Sequence, residues 1–418
     1  MEEKLDALLA RQEDIDRQII VNQAKISTAS RVLVDILSKI FTIYVRDFGG
    51  SPYDVAMVCR MWRSTALHHA PGIWGRILVV VPQVTIQSSW EDGFFVCSSP
   101  GALERALERR KDKKISLRLT NATPSGSINL SDLLPYRRIF EDSKQCWESF
   151  DIEFPTIIDD ASDKAGGVTA ATLIAGFIRA STSLRHLKLT SIDLKEATLA
   201  VPFTLETLTL TRCQVDLSKC DYPALIELHF DSSSTASNLI VIPNLRLLRY
   251  RGPTLTSLMQ IAAPSLQKLD LASFDDPTWL DGGWEPRLNP QVLILRAGEW
   301  SEAVLKAFLV WMSNIESLDI ETTTSLTAVE ILEELEQGEM VSLEDSTQEE
   351  ETGGDSQRPV TCPKLNAVNI TVQGEICGDC ISQLRSLSML VLKKYSRVPV
   401  LRLKFTDGTT EEISSRDN

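Results

Sequence analysis

Residues able to do chemistry are few in this chain, and their spacing is poor for it. Cys377-Gly378-Asp379-Cys380 is a CxxC pair, a spacing that can hold zinc or run thiol–disulfide exchange. Tetrahedral zinc needs four ligands, and the second pair is missing: Cys362 is the only other cysteine near in sequence, and all four histidines precede position 230. The pair reads as two ordinary cysteines in a turn. His68 and His69 close a helical stretch, while His186 and His229 fall in strand-like segments, and all four read as structural or surface groups. GxxxxGK, GxGxxG, GxSxG and HExxH do not occur, so nucleotide, hydrolase and metalloprotease chemistry have no local motif. No catalytic residue, metal or cofactor is expected, and the chain reads as a non-enzyme.

Charge narrows the partners. Lysine and arginine total 43 against 57 aspartates and glutamates, a net charge of −14, which repels phosphate backbones and anionic lipid heads. Nucleic acid and membrane are not expected partners. Arg105, Arg109, Arg110, Lys111, Lys113 and Lys114 form the one basic cluster, read as a solvated helix face and turn, with a site for an acidic partner as the alternative. Residues 330–355 hold eleven acidic side chains and no basic one. An acidic insertion over 326–358 is expected, helical at first (Leu326, Val329, Leu332, Leu335) and then a solvated loop; recruitment of a basic partner is the alternative. The eight cysteines show no framework spacing, the N-terminus lacks a signal pattern, and no 18-residue apolar run occurs. The expectation is an intracellular chain without disulfides, cytoplasmic and/or nuclear.

Among the elements that must position these groups, residues 1–27 read as a two-faced helix. Leu5, Leu8, Ile15, Ile19 and Ile26 keep a 3,4 spacing with Gln12 and Asn22 at its polar steps. Either a leader helix packed on the next helical unit or a short coiled coil for dimerisation fits. Residues 28–78 form that next unit. Val32, Leu33, Ile36, Leu37, Ile40, Phe41, Tyr44 and Val45 share one broad helical stripe, which ends at the turn signal Gly49-Gly50-Ser51-Pro52. Asp54 is the expected cap of a second helix carrying Val55, Val58, Cys59, Trp62, Ala66 and Leu67 on one face. Pro71-Gly72 stops it, and residues 77–81 read as a strand.

Three blocks here, Asp35-Ile36-Leu37-Ser38-Lys39-Ile40-Phe41, Val58-Cys59-Arg60-Met61-Trp62-Arg63 and Ala70-Pro71-Gly72-Ile73-Trp74 before a strand, resemble the F-box as found in mushroom-forming fungi. The resemblance covers the segment 28–78. It implies docking on the SKP adaptor of a cullin-based ubiquitin ligase, through Val32, Leu33, Ile36, Leu37, Ile40 and Phe41 of the first helix with Val58 and Trp62. One departure stands out: the family opens with Leu-Pro where this chain has Val32-Leu33, which removes the ring that fixes a kink.

Residues 79–146 read as a linker with the first strands of a repeat array, including a helix at 102–110 and an alternating strand at 115–119. From residue 147 an apolar triplet recurs: Trp147-x-x-Phe150-x-Ile152, Leu184-x-x-Leu187-x-Leu189, Leu205-x-x-Leu208-x-Leu210, Leu225-x-x-Leu228-x-Phe230 and Leu245-x-x-Leu248-x-Tyr250. It continues through Leu266-x-x-Leu269-x-Leu271, Val292-x-x-Leu295-x-Ala297, Ile315-x-x-Leu318-x-Ile320 and Leu365-x-x-Val368-x-Ile370. Starts from Leu184 are spaced 21, 20, 20, 21, 26, 23 and 50, which matches the leucine-rich repeat with its period of about 20–29 residues. Proline precedes five starts by two residues (Pro223, Pro243, Pro264, Pro290, Pro363), a position that marks strand entry. Longer returns at 168–180 and 301–312, the latter capped by Ser301, read as helices.

The fold expected is therefore α/β: an N-terminal helical F-box-like module, then over 147–405 a leucine-rich-repeat solenoid with a curved parallel sheet, then a polar tail at 406–418. Residues between the inward apolar ones face outward. His186, Lys188, His229, Arg249, Arg251, Lys268, Arg296, Asp319 and Glu321 are the candidate target-binding residues of that face. The implied function is a substrate-recognition subunit of a cullin-RING ubiquitin ligase, holding an unknown target protein. The alternative is a non-catalytic scaffold whose F-box-like segment only caps the solenoid.

Overall fold

The computed structural model describes residues 2–26, 32–81, 90–91, 94–97, 99–110, 113–121, 130–143, 146–154, 169–194, 199, 201–252, 256–272, 288–296, 314–322, 325–337, 364–373, 378–395, 398 and 400–414. The chain divides into two compact units, Met1–Ala122 with Cys146–Glu148, and Thr123–Gln145 with Ser149–Asn418.

The first unit begins with helix α1 (Glu2–Ile26). Its described side chains, residues 8–23, are all exposed, so the expectation of a leader helix packed on the next unit is not met. Next come α2 (Val34–Arg46), α3 (Pro52–Val58) and α4 (Arg60–His68). The single second helix expected after residue 54 is thus two helices, because Cys59 is extended (φ −160°, ψ 172°). Each piece has its own cap: Ser51 Oγ accepts from Tyr53 N at 3.1 Å, and Cys59 Sγ from Trp62 N at 3.5 Å. Asp54 is not a cap. It lies in the first turn of α3, where its carboxylate accepts from the Tyr44 hydroxyl at 3.1 Å.

Leu37, Phe41 and Val45 recur every fourth residue of α2 and meet Val55, Ala56, Ala66, Ile73 and Trp74 in one core. Phe41 packs on Trp62 with ring centroids 5.0 Å apart, and Trp74 Nε1 donates to the Ala66 carbonyl at 3.0 Å. A buried indole needs such an acceptor. The chain then enters β1 (Arg76–Val81), followed by β2 (Trp90–Glu91), β3 (Phe94–Cys97), α5 (Pro100–Arg109) and β4 (Ile115–Asn121). Strand β1 is parallel to both β3 and β4, while β2 runs antiparallel on β3. The basic cluster is not merely a solvated face. Arg109 lies 5.6 Å from the ring centroids of both Tyr53 and Trp74, and the buried Arg110 donates to the Lys113 carbonyl and Cys146 Sγ.

The second unit contains α6 (Leu130–Asp142), most of β5 (Trp147–Glu153), α7 (Ala170–Ala180), β6 (His186–Thr190), β7 (Thr207–Thr211) and β8 (Glu227–Asp231). There follow β9 (Ile240–Val241), β10 (Leu247–Arg251), α8 (Thr256–Met259), β11 (Ile261–Ala262), β12 (Lys268–Ala272), β13 (Val292–Arg296) and β14 (Ser317–Thr322). The last elements are α9 (Ser325–Gln337), β15 (Ala367–Val372), α10 (Gly378–Lys394), β16 (Val400–Phe405) and β17 (Thr410–Ser414). Strands β5, β6, β7, β8, β10, β12, β13, β14, β15 and β16 are neighbours in that order, each pair parallel. The fold is α/β with a large, mostly parallel curved sheet.

Strand entry repeats from unit to unit. Two successive amides of each strand share one carbonyl of the strand before: Glu206 and Thr207 on Arg185, Ile226 and Glu227 on Glu206, Arg246 and Leu247 on Ile226, Gln267 and Lys268 on Arg246. The series continues with Gln291 and Val292 on Gln267, Glu316 and Ser317 on Gln291, and Asn366 and Ala367 on Glu316. One interval corrects the sequence reading. Leu293 and Leu295, not Leu295 and Ala297, are the inward pair of β13, in register with Leu269 and Leu271. The alternation is unchanged by a two-residue slip, which is why the triplet alone misplaces it.

Two further corrections concern the C-terminal segment and a cysteine. Residues 410–414 are no tail: β17 pairs antiparallel with β16 and closes that edge. The acidic segment does start as a helix, as its apolar spacing predicts: residues 326–337 belong to α9, whose Ala328, Val329, Ile331, Leu332 and Leu335 are buried. Cys380, in the first turn of α10, is disulfide-bonded, contrary to the expectation of reduced thiols throughout. The scatter of cysteines along a chain does not test their proximity in space. Cys59, Cys97, Cys146, Cys213 and Cys220 are free, so the partner of Cys380 lies outside the described residues, as do the 301–312 segment and the rest of the acidic run. No described helix is long and apolar enough to cross a membrane.

Candidate functional site: a polar row on the parallel sheet and an apolar helix face

Parallel register places one side chain from each strand in a row across the sheet. The middle row reads Asp151, Lys188, Thr209, His229, Arg249, Asp270, Ile294, Asp319, Asn369 and Arg402. One step along the strands runs a second row, with Asp231, Arg251, Ala272 and Arg296 in register and Glu321 in the next strand.

At the centre is Asp270, which is 0% exposed. A buried carboxylate is costly unless paired, and here two guanidiniums from flanking strands pair it. Arg249 Nε donates to one carboxylate oxygen and Arg296 Nε to the other, both at 2.8 Å. Arg296 Nη1 also reaches Glu321 Oε1 at 2.7 Å. The hydrogen bond to Asp270 is the main reason the Arg296 pKa is raised, with the nearby Asp270 and Glu321 charges adding to it. Both arginines are thus held in place while the far edge of Arg249 still faces solvent.

His229 stands beside Arg249 in the same row, and its Nε2 has no hydrogen-bond partner. Burial, and then the neighbouring Arg249 charge, push its pKa below the ordinary value. Thr209, His229, Arg249, Arg251, Asp270 and Arg296 contribute to a concavity of about 470 Å³ on this face. Such a surface offers hydrogen-bond donors and fixed positive charge. Among the described residues, no group of three His, Cys, Asp or Glu side chains is placed to hold a metal ion.

The sequence-derived candidates divide. The structure brings His229, Arg249, Arg251, Arg296 and Glu321 to this cluster. Arg296 reaches Asp270 from the second row rather than the first, a consequence of the corrected β13 register. Lys188 instead pairs with Asp151 at 3.3 Å, Asp319 accepts from Asn369 at 2.6 Å, Lys268 lies beside Leu247 and Val292, and His186 is an exposed residue at the start of β6. Sequence reasoning places Asp270 on the outward face but does not single it out. The available signal is opposite charge at equivalent positions of adjacent units, Arg249 against Asp270.

The F-box-like segment presents a second surface. The broad apolar stripe of α2 splits in two: Leu37 and Phe41, at 1% and 0% exposure, are core, whereas Leu33 and Ile36, at 69% and 48%, face solvent with Ile40 and Ile43. Of the adaptor-contact candidates, Leu37 and Phe41 are therefore too deep to touch a partner. Val32 and Trp62 pack partly buried against the core, and Val58 is exposed beside Met57 on α3. Leu33, which stands where the resembled pattern carries proline, has φ −59° and ψ 141°. That φ is the value a proline ring would impose. No protein-family model matches the sequence, and no curated protein matches it.

Proposed function

We propose that the chain is a non-catalytic recognition subunit of a cullin-RING ubiquitin ligase, docking an SKP-type adaptor through α2 and α3 and a target protein through the polar rows of the parallel sheet. The observation that carries this reading is the second apolar face of α2. Leu33, Ile36, Ile40 and Ile43 are exposed although Leu37, Phe41 and Val45 already supply the core. Four large aliphatic side chains on one solvent-facing helix surface are the pattern of an interaction site. The proline-like backbone at Leu33 keeps the entry angle that the missing ring would have fixed. On the sheet, Arg249 and Arg296 are anchored by Asp270 and so cost little conformational entropy on binding.

Co-purification tests the adaptor step. Ile36→Glu with Ile40→Glu changes only exposed positions, so the thermal melt should stay within about 0.5 kcal/mol of wild type while capture of the adaptor is lost. An adaptor yield equal to that of wild type would remove the ligase reading and leave the scaffold alternative.

A further inference from the structure

We propose that α1 is a parallel two-stranded coiled coil with a second copy of this chain. Leu8, Ile15 and Ile19 are exposed on a helix whose described side chains touch no core. With Gln12 and Asn22 they occupy successive seam positions at 4,3,4,3 spacing, the pattern that lets two helices wrap left-handedly. The hydrogen bonds and ion pairs α1 makes with itself lie off that seam: Arg17 with Glu13 at 3.6 Å, and Gln18 with Asp14 at 3.0 Å.

Two observations choose the occupant and its direction. First, parallel pairing sets like against like, Gln12 on Gln12 and Asn22 on Asn22 of the other copy, so each buried amide meets an amide. Antiparallel pairing in the same seam either sets Gln12 against Ile15 and buries an unmatched polar group twice, or, one heptad over, matches Gln12 with Asn22 but sets Asp16 against Asp16 of the other copy. Second, Arg11 and Asp16 flank the seam on opposite sides, separated by the five residues that bring such positions together across a parallel dimer. Neither makes a hydrogen bond or ion pair among the described residues. Two copies then form Arg11–Asp16 pairs in both directions, and Gln18 meets Gln23 without like-charge contact. A second copy supplies all of this complementarity at once.

Light scattering on the full-length protein is the test. Wild type should elute at twice its 46.5 kDa chain mass, and Ile15→Asp with Ile19→Asp should halve that mass with an unchanged thermal melt. Arg11→Glu should shift the dissociation constant upward several-fold, and adding Asp16→Arg should recover it. In mild oxidant, Asn22→Cys should give a cross-linked dimer on a non-reducing gel that wild type does not. A wild-type monomer at every concentration overturns the proposal, as does a dimer that survives the double aspartate substitution. A dimer in which Asn22→Cys fails to cross-link overturns the parallel arrangement.

Discussion

Replacing Asp270 by asparagine should unsettle the sheet far more than its position among surface-facing residues implies. The side chain keeps its shape but loses the charge on which two guanidiniums converge at 2.8 Å. Hydrogen bonds to a charged group contribute about 1.5–3 kcal/mol each, so the gross loss is about 3–6 kcal/mol. Arg249 and Arg296 are 47% and 36% exposed, and water recovers part of what they lose, which roughly halves the figure. The expected cost is about 1.5–3 kcal/mol, below the ~3–5 kcal/mol seen when a fully buried pair is broken. In urea, with a slope of ~2–3 kcal/mol per M, the midpoint should fall by about 1 M with the slope unchanged. High salt should not erase the difference, because the carboxylate is out of reach of counterions. Asp270→Leu combined with Arg249→Met and Arg296→Met should recover most of the loss, since a matched apolar replacement leaves no stranded charge. A single Asp270→Asn variant within about 0.5 kcal/mol of wild type would show that the pairing contributes nothing measurable.

Three other outcomes rest on particular residues. The folded-state pKa of His229 is depressed, so on acidification the unfolded chain takes up its proton first. Stability should fall as pH drops below about 6.5 until the folded pKa is reached, and His229→Gln should flatten that slope in denaturant titrations across this range. Phe41→Ala removes a wholly buried ring packed at a tilt against Trp62. It should cost about 3–5 kcal/mol by chemical denaturation, in contrast to the mild cost at Ile36. Ending the chain at residue 406 removes β17 and the Arg402–Glu412 pair at 2.8 Å, baring the β16 edge. Dynamic light scattering should then show concentration-dependent growth, and a monodisperse truncated protein would contradict the capping role.

Local pattern carries much of this architecture. The inward leucine pairs fall on parallel strands because alternation and a repeating interval are both properties of short sequence windows. Where two registers satisfy the same alternation, as Leu293 with Leu295 and Leu295 with Ala297 do, only the neighbouring strand decides. Periodicity cannot divide α2 into a core face and a solvent face, since Ile36 and Leu37 are chemically alike and differ only in what packs against them. The burial of Asp270 depends on two arginines from other strands, and the bond at Cys380 on a partner brought close by folding. Both are long-range facts that composition does not encode. Strand β3 is illegible in sequence because four residues, two of them phenylalanine, look equally like core or loop.

The rows across the sheet have a consequence for how this surface changes over time. Each strand places one side chain in a row, at intervals of about 4.8 Å, and some rungs, such as Asp319 and Asn369, are joined only to one neighbour. A substitution at Thr209 edits one letter of a surface inscription and leaves its neighbours legible, and one at Asn369 touches only Asp319. Around Asp270 that freedom ends. Its two oxygens yoke an arginine on either side to one another, so Arg249 and Arg296 must drift together or not at all.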